Sequence, residues 1–418
     1  MGVPKLALAI VTGLISLSLV PAVRVSAQGA TFSNIAQGRY LVTAGDCASC
    51  HTAKKGKSFA GGRAIDTPFG ILYSTNLTPD TETGIGQWSE QDFYNAMHTG
   101  IRRDGKHLYP AFPYPWFSKL TRNDVDAIKT FLDTLAPVKQ QNKPPKLPWP
   151  LSWREAMIGW NTLYFTAGSF EADPEKSTQW NRGAYLVEGP GHCGLCHTPK
   201  NFLGAVNTDH KLAGGNAGEY WYAPSLTGDL RDGVGAWSDV EIVEYLKTGS
   251  NNNTATAGPM TEVVKNSTQY LSEADLEAIA IYLKDSPQKS VASQINTGDL
   301  GAPALARGEA LYIDNCSGCH MYDGGGIARV FPPLKASAAI QAKSADTVIH
   351  VVLTGARMAT TPVKPTGLAM PAFGAKLDDQ QMVDVVNYIR HAWGNRAPLI
   401  SAGNVADGRK KIAQSGAL

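Results

Sequence analysis

The sequence predicts a mainly α-helical protein built as three helical domains in tandem, and three recurring features predict it. First, a helical stretch carrying Arg and Gly and ending in a short loop appears three times: QGRYLVTAGDCASCH from Gln37, NRGAYLVEGPGHCGLCH from Asn181 and ARGEALYIDNCSGCH from Ala306. Recurrence of this kind marks a repeat architecture in which each repeat is one supersecondary unit. Second, the first two copies continue into WSEQDFYNAMHTG from Trp88 and WSDVEIVEYLKTG from Trp237. Each carries Ser at the N-cap position and Gly just past the end, which is how helices are punctuated. The third copy keeps the outline in SADTVIHVVLTG, ending at Gly355. Third, every copy closes with an amphipathic segment: TRNDVDAIKTFLDTL, LSEADLEAIAIYLKD and LDDQQMVDVVNYIRHAW. In these, apolar residues recur at three- and four-residue spacing behind Thr, Ser or Asp.

In chain order, residues 1–27 read as a secretory signal peptide. Lys5 precedes an apolar stretch from Leu6 to Val20, Pro21 breaks it, and small residues lead to Ala27. The stretch is shorter than the roughly 20 residues that a membrane span requires. Export and cleavage near Ala27 follow as the expectation. The first domain is expected over 28–136, the second over 176–286 and the third over 303–395, with a tail at 396–418. The linker at 137–175 opens with PVKQQNKPPKLPWP, where repeated proline favours extended backbone. It continues into WREAMIGWNTLYFTAGSF, an aromatic helix expected to pack between domains, with an interfacial membrane helix as the alternative. A second linker is expected at 287–302. No later segment has the length and apolarity of a membrane span, so membrane contact is expected to be peripheral or through a partner.

A chain of 418 residues, 43% hydrophobic, is long enough to bury two or three cores. Its formal charge of +2 and pI of about 8.1 provide no basic field, which sets nucleic acid aside as a partner. Glycine is plentiful, yet no GxGxxG follows a strand and opens a helix, so the nucleotide fingerprint is missing.

The six cysteines of an exported chain would ordinarily suggest disulfides. Their placement argues otherwise. They fall as Cys47 and Cys50, Cys193 and Cys196, Cys316 and Cys319, and each second cysteine is followed at once by histidine, at His51, His197 and His320. Two cysteines at this spacing can add to the two vinyl groups of haem as thioethers, and the next histidine is then placed to ligate the iron. A single such motif could be a zinc half-site. Three, each heading a repeated helical unit and consuming every cysteine, predict three covalently bound haem c groups.

The sixth iron ligand decides what each haem does. A thioether closes the site and raises the potential, whereas an empty position admits ligands. Met260 in GPMTEVV and Met370 in AMPAFG precede the closing helices of the second and third units and are the predicted axial ligands; Met358 is the competitor in the third. The first unit breaks the pattern, because DGKHLYPAFPYPWF places Phe112 where methionine would stand. Either His98 or His107 substitutes there, or that iron is five-coordinate. A bis-histidine site would lower the potential relative to the other two. Tyr40 and Tyr185, near the motifs, are expected to pack on haem faces.

These residues carry a resemblance. RYLVTAGDCASCHT, FAGG, STNLTPDTETGIGQWSEQDF, LYPAFPY, WNRGAYLVEGPGHCGLCHTPKN and APSLTG are similar to segments of the three-haem cytochrome c subunits of bacterial membrane-bound alcohol, fructose, gluconate, sorbitol, glucose and aldehyde dehydrogenases. The resemblance runs from about Gly38 to Trp393. It implies class I cytochrome c-like domains and a role in electron transfer. It also implies a catalytic partner subunit bearing flavin, pyrroloquinoline quinone or a molybdenum cofactor, a small subunit, and ubiquinone or another acceptor at the periplasmic face of the inner membrane. Phe112 resembles the cytochromes that accompany molybdenum hydroxylase-type dehydrogenases, and the tail after Trp393 lacks the apolar anchor helix that some members carry. Two rivals stand beside this reading: a peroxidase-like enzyme using an open first haem, and a free periplasmic electron shuttle.

Overall fold

The computed structural model describes residues 1–2, 27–286 and 297–414. The expected signal peptide, apart from its ends, and much of the second linker lie outside the described residues. The fold is mainly α, and its order follows the three sequence copies. In the first, α1 (Ala27–Ala44) leads to the short helix α2 (Cys47–His51), a hairpin of β1 (Ala64–Thr67) and β2 (Gly70–Tyr73), then α3 (Glu90–Thr99), α4 (Tyr114–Phe117) and α5 (Arg122–Asp133). After α6 (Ala156–Tyr164), the second copy repeats the order with α7 (Thr178–Glu188), α8 (Gly194–His197), β3 (Gly215–Gly218), β4 (Trp221–Ala223), α9 (Asp239–Thr248), α10 (Pro259–Asn266) and α11 (Glu273–Lys284). The third contains α12 (Ala302–Asn315), α13 (Ser317–His320), α14 (Ala338–Gln341), α15 (Asp346–Thr354), β5 (Ala356–Arg357), β6 (Ala369–Met370) and α16 (Asp379–His391), and α17 (Ala402–Gln414) follows.

The capping signals do what the sequence requires of them. Ser89 and Ser238 each form a capping box with the residue three positions on, Asp92 and Glu241, and the two helices end on left-handed Gly100 and Gly249. Thr121, Ser272 and Asp378 cap the three closing helices. Each opening helix crosses its closing helix at a glycine. A Cβ on Gly38 would lie 1.9 Å from the Ala127 carbonyl oxygen, one on Gly183 1.9 Å from that of Ala278, and one on Gly308 2.4 Å from that of Asp384. The glycine of the repeat is therefore the point where two backbones touch, and three apolar cores gather around these crossings.

The first two copies join reciprocally. The Tyr40 hydroxyl donates to Asp275 on α11, and the Tyr185 hydroxyl, from the matching position of the second copy, donates to Asp124 on α5. Each hydroxyl finds its partner at the head of the other copy's closing helix, while the Tyr40 ring packs on the second apolar core and the Tyr185 ring on the first. The second and third copies meet differently. The Trp221 indole stacks on His350 at 3.9 Å, Thr347 exchanges hydrogen bonds with the Tyr222 backbone, and Arg329 pairs with Glu244. Far from trailing free, α17 buries Val405 and Ile412, and the Asn404 carbonyl accepts from the Tyr220 hydroxyl of the second copy.

The aromatic linker helix has two unlike sides. Asn161 accepts from the Tyr114 hydroxyl at 2.5 Å, and the Trp160 indole donates to the Leu203 carbonyl, so α6 spans the first and second copies. Trp149, Leu163 and the neighbouring Phe202 remain 84%, 70% and 85% exposed. No helix among the described residues is long and apolar enough to cross a membrane.

Candidate haem sites

Each CxxCH motif forms a short helix at the end of an opening helix, which places its first cysteine against the core. Cys47, Cys193 and Cys316 pack on the three apolar clusters, and no two of the six cysteines are joined as a disulfide. Burial pushes the Cys47 and Cys193 thiols up to about 12 and that of Cys316 to about 11, so these positions disfavour a charged sulfur. A protonated thiol is a poor nucleophile for disulfide exchange.

The three histidines share one geometry. Nδ1 of His51 lies 2.7 Å from the Thr75 carbonyl oxygen, that of His197 2.7 Å from Pro224, and that of His320 2.9 Å from Pro332. A carbonyl only accepts, so each Nδ1 carries the proton and each Nε2 keeps its lone pair. This is the arrangement that orients a metal-ligating imidazole and fixes its tautomer. Burial lowers the pKa of all three rings, and His197 falls to about 4, which keeps the imidazoles neutral. Paired cysteines outside any disulfide, each pair beside an imidazole whose Nε2 is left free, fit covalent haem. The carbonyl partners went unread in the sequence. Their signal is faint but present, since a leucine stands two positions beyond each (Leu77, Leu226 and Leu334) and packs on the local core.

The predicted distal residues are placed as follows. Met260 opens α10 just after Gly258, whose backbone crosses the face of Trp221. That helix lies against the first copy's attachment helix, through Asn266 to Ser49 and Glu262 to Arg63. Met370 pairs with Ala356 across β5 and β6 and packs on the third core beside Cys316, whereas Met358 precedes Ala359, which binds Thr256 of the second copy. Phe112 packs on the first core, 5.4 Å from the Phe117 ring. His98 stacks on Tyr94 at 4.9 Å with its Nδ1 buried and unpartnered, and His107 Nδ1 lies 3.3 Å from the Asn161 amide.

The second copy's attachment helix lies beside the first copy, with the Trp116 indole of α4 over Gly194 of α8.

Known proteins resemble this chain over nearly its full length. The family model for cytochrome c matches residues 35–136 and 305–393. The cytochrome c subunit of the quinone alcohol dehydrogenase of Gluconobacter oxydans (strain 621H) is 40% identical over 411 residues, covering 94% of this chain and 84% of that one. The gluconate 2-dehydrogenase cytochrome c subunit of Pantoea cypripedii is 40% identical over 398 residues, covering 90% and 89%. A nicotinate dehydrogenase subunit of Pseudomonas putida (strain KT2440) is 40% identical over 368 residues, which are 87% of this chain and 30% of that longer relative.

Proposed function

Since the chain belongs to the family of cytochrome c subunits of bacterial dehydrogenases, we propose that it carries three covalent haem c groups and relays electrons from a catalytic dehydrogenase subunit to a respiratory acceptor. The catalytic partner bears flavin, pyrroloquinoline quinone or a molybdenum cofactor, and a small subunit completes the complex. The acceptor is ubiquinone or another carrier, and the site of action is the periplasmic face of the inner membrane. The observation that carries the reading is the threefold repetition of thiol pair, imidazole and carbonyl, with Nε2 left free each time.

Haem bound at these motifs supplies a one-electron iron couple. The chain's own part is to hold and insulate. The Thr75, Pro224 and Pro332 carbonyls fix the three rings, while Met260 and Met370 are the sixth ligands offered by the second and third copies. The reciprocal seam joins the first copy to the second, and the Trp221–His350 stack joins the second copy to the third. Peripheral membrane contact is assigned to the apolar side of the linker, where Trp149, Trp153 and Leu163 are exposed; amphipathic aromatic segments of this kind sit at the lipid interface.

The test is to extract the tagged protein from its native membranes in mild detergent. Haem is counted by the mass of the intact chain, and the associated subunits are identified together with their cofactors. Three haems and a large subunit carrying one of the three cofactors are expected. A lone, soluble cytochrome would overturn the complex. Stoichiometric peroxide turnover by that lone chain would favour a haem enzyme, and reversible electron exchange alone would favour a free shuttle.

A further inference from the structure

We propose that Met97 of α3 supplies the sixth ligand to the iron held at Cys47–His51, in place of the loop methionine that the first copy lacks. The inference rests on the reading of that motif as a haem site.

The first two copies can be laid over one another residue by residue. Their α3 and α9 start in capping boxes at Ser89 and Ser238 and end on Gly100 at φ 68° and Gly249 at φ 82°. An isolated bridge then pairs Ile101 with His107 in one and Ser250 with Ala255 in the other. Leu108 N donates to Gly100 O, and Thr256 N to Gly249 O, both at 2.8 Å. In this register Phe112 stands where Met260 stands. The same register sets Met97 against Leu246, and counting back from Gly355 gives Val352 in the third copy. The copy that has lost a thioether from the loop is thus the copy that carries one on the helix.

Met97 lies in the core that receives the first motif. It is 5% exposed and belongs to the apolar cluster on which Cys47 and Phe112 pack. It shares a helix face with Phe93, one turn earlier and also buried. A long, unbranched thioether is well suited to reaching across a pocket, and sulfur of this type is an established iron ligand in c-type haem proteins. The step is coordination alone: Sγ donates a lone pair to iron, and no proton or electron is transferred.

Of the two histidines, His107 is engaged, whereas His98 keeps a buried Nδ1 without a partner and is the rival ligand that the experiment below separates from Met97. His98 is turned about 100° around the helix from Met97 and stacks on Tyr94, itself covered by the Arg122 guanidinium at 4.7 Å. It holds the register of Lys247, whose ammonium bonds the Leu271 carbonyl ahead of the closing helix. His107 holds the register of Ala255. Because Asn161 Oδ1 accepts from Tyr114, its amide nitrogen is the atom facing His107 Nδ1. That nitrogen donates, so the His107 proton resides on Nε2 and no ring lone pair is left for iron.

The experiment uses the full-length holoprotein, with haem first located by peptide mapping. Iron-bound methionines are counted from the upfield-shifted S-methyl resonances of the reduced protein and from the far-red thioether-to-iron band of the oxidised one. Three such signatures are expected in the wild type and two in Met97→Leu, which should gain one carbon monoxide site per chain. Phe112→Met added to Met97→Leu should restore the third signature and abolish the new site, and this double variant keeps the test decisive if the single one misfolds. A first motif without haem would overturn the functional reading and this inference together. Haem present there with two thioether signatures in the wild type, or three surviving in Met97→Leu, would overturn the inference alone.

Discussion

At the scale of single residues, the glycines at the helix crossings are the sharpest test of the packing. Ala at Gly38 or Gly183 would drive a methyl to 1.9 Å from a helix backbone oxygen, which a side-chain rotamer cannot relieve. Overpacking of this kind costs on the order of 1–3 kcal/mol, and Gly38→Ala and Gly183→Ala should each lower the thermal midpoint of the holoprotein measurably. Asp46 offers a pH test. Burial raises its carboxyl from the ordinary 3.8 to about 7, against a smaller opposing effect of its hydrogen bond from Ser49. The folded chain therefore holds a proton that the unfolded chain has released, and stability falls as pH rises from about 4 through 7. Asp46→Asn should flatten that fall, read as the change in thermal midpoint between pH 5 and pH 8. The cysteines and their histidines were legible in the sequence because thioether attachment demands those side chains at that spacing. The Thr75, Pro224 and Pro332 carbonyls were not, since any residue offers a carbonyl, and Met97 was not, since a buried helical methionine looks like core until the loop methionine is found missing.

At the scale of elements, the helices were legible from their caps and apolar spacing, and their boundaries rest on the residues that announced them. Ser89→Ala removes the hydroxyl that accepts from the Asp92 N–H in the capping box on α3 while leaving the residue-89 N–H on the Asp92 carboxylate and should cost about 1 kcal/mol, seen as earlier unfolding of the first copy by hydrogen exchange. The three hairpins escaped the sequence reading because their strands are short, two to four residues, and half-exposed, so no alternation could develop. Arg390 on α16 also escaped it. It is fully buried and donates to the carbonyls of Ile340, Ala342 and Pro398, tying α14 and the segment before α17 to the closing helix. Arg390→Met would strip three carbonyls of their partner at about 1 kcal/mol each, and chemical denaturation should show a loss of roughly 3 kcal/mol confined to the third copy.

At the scale of the whole molecule, α17 locks the third copy to the second through Tyr220 and its own buried face. Ending the chain at residue 400 should open the Trp221–His350 contact and leave the third copy sensitive to protease, while the first two copies remain resistant. Those two copies have a bond of another kind. Tyr40 reaches Asp275, and the matching Tyr185 reaches Asp124, so one residue pair is used twice, in opposite directions. An interface in which i meets j while j meets i is the isologous contact of a two-fold homodimer. Here both partners lie on one polypeptide, and the segment at 137–175 acts as a tether that replaces a concentration-dependent association with an intramolecular one. The first two copies are in effect a dimer held on one polypeptide, with the third joined to it through an unrelated surface.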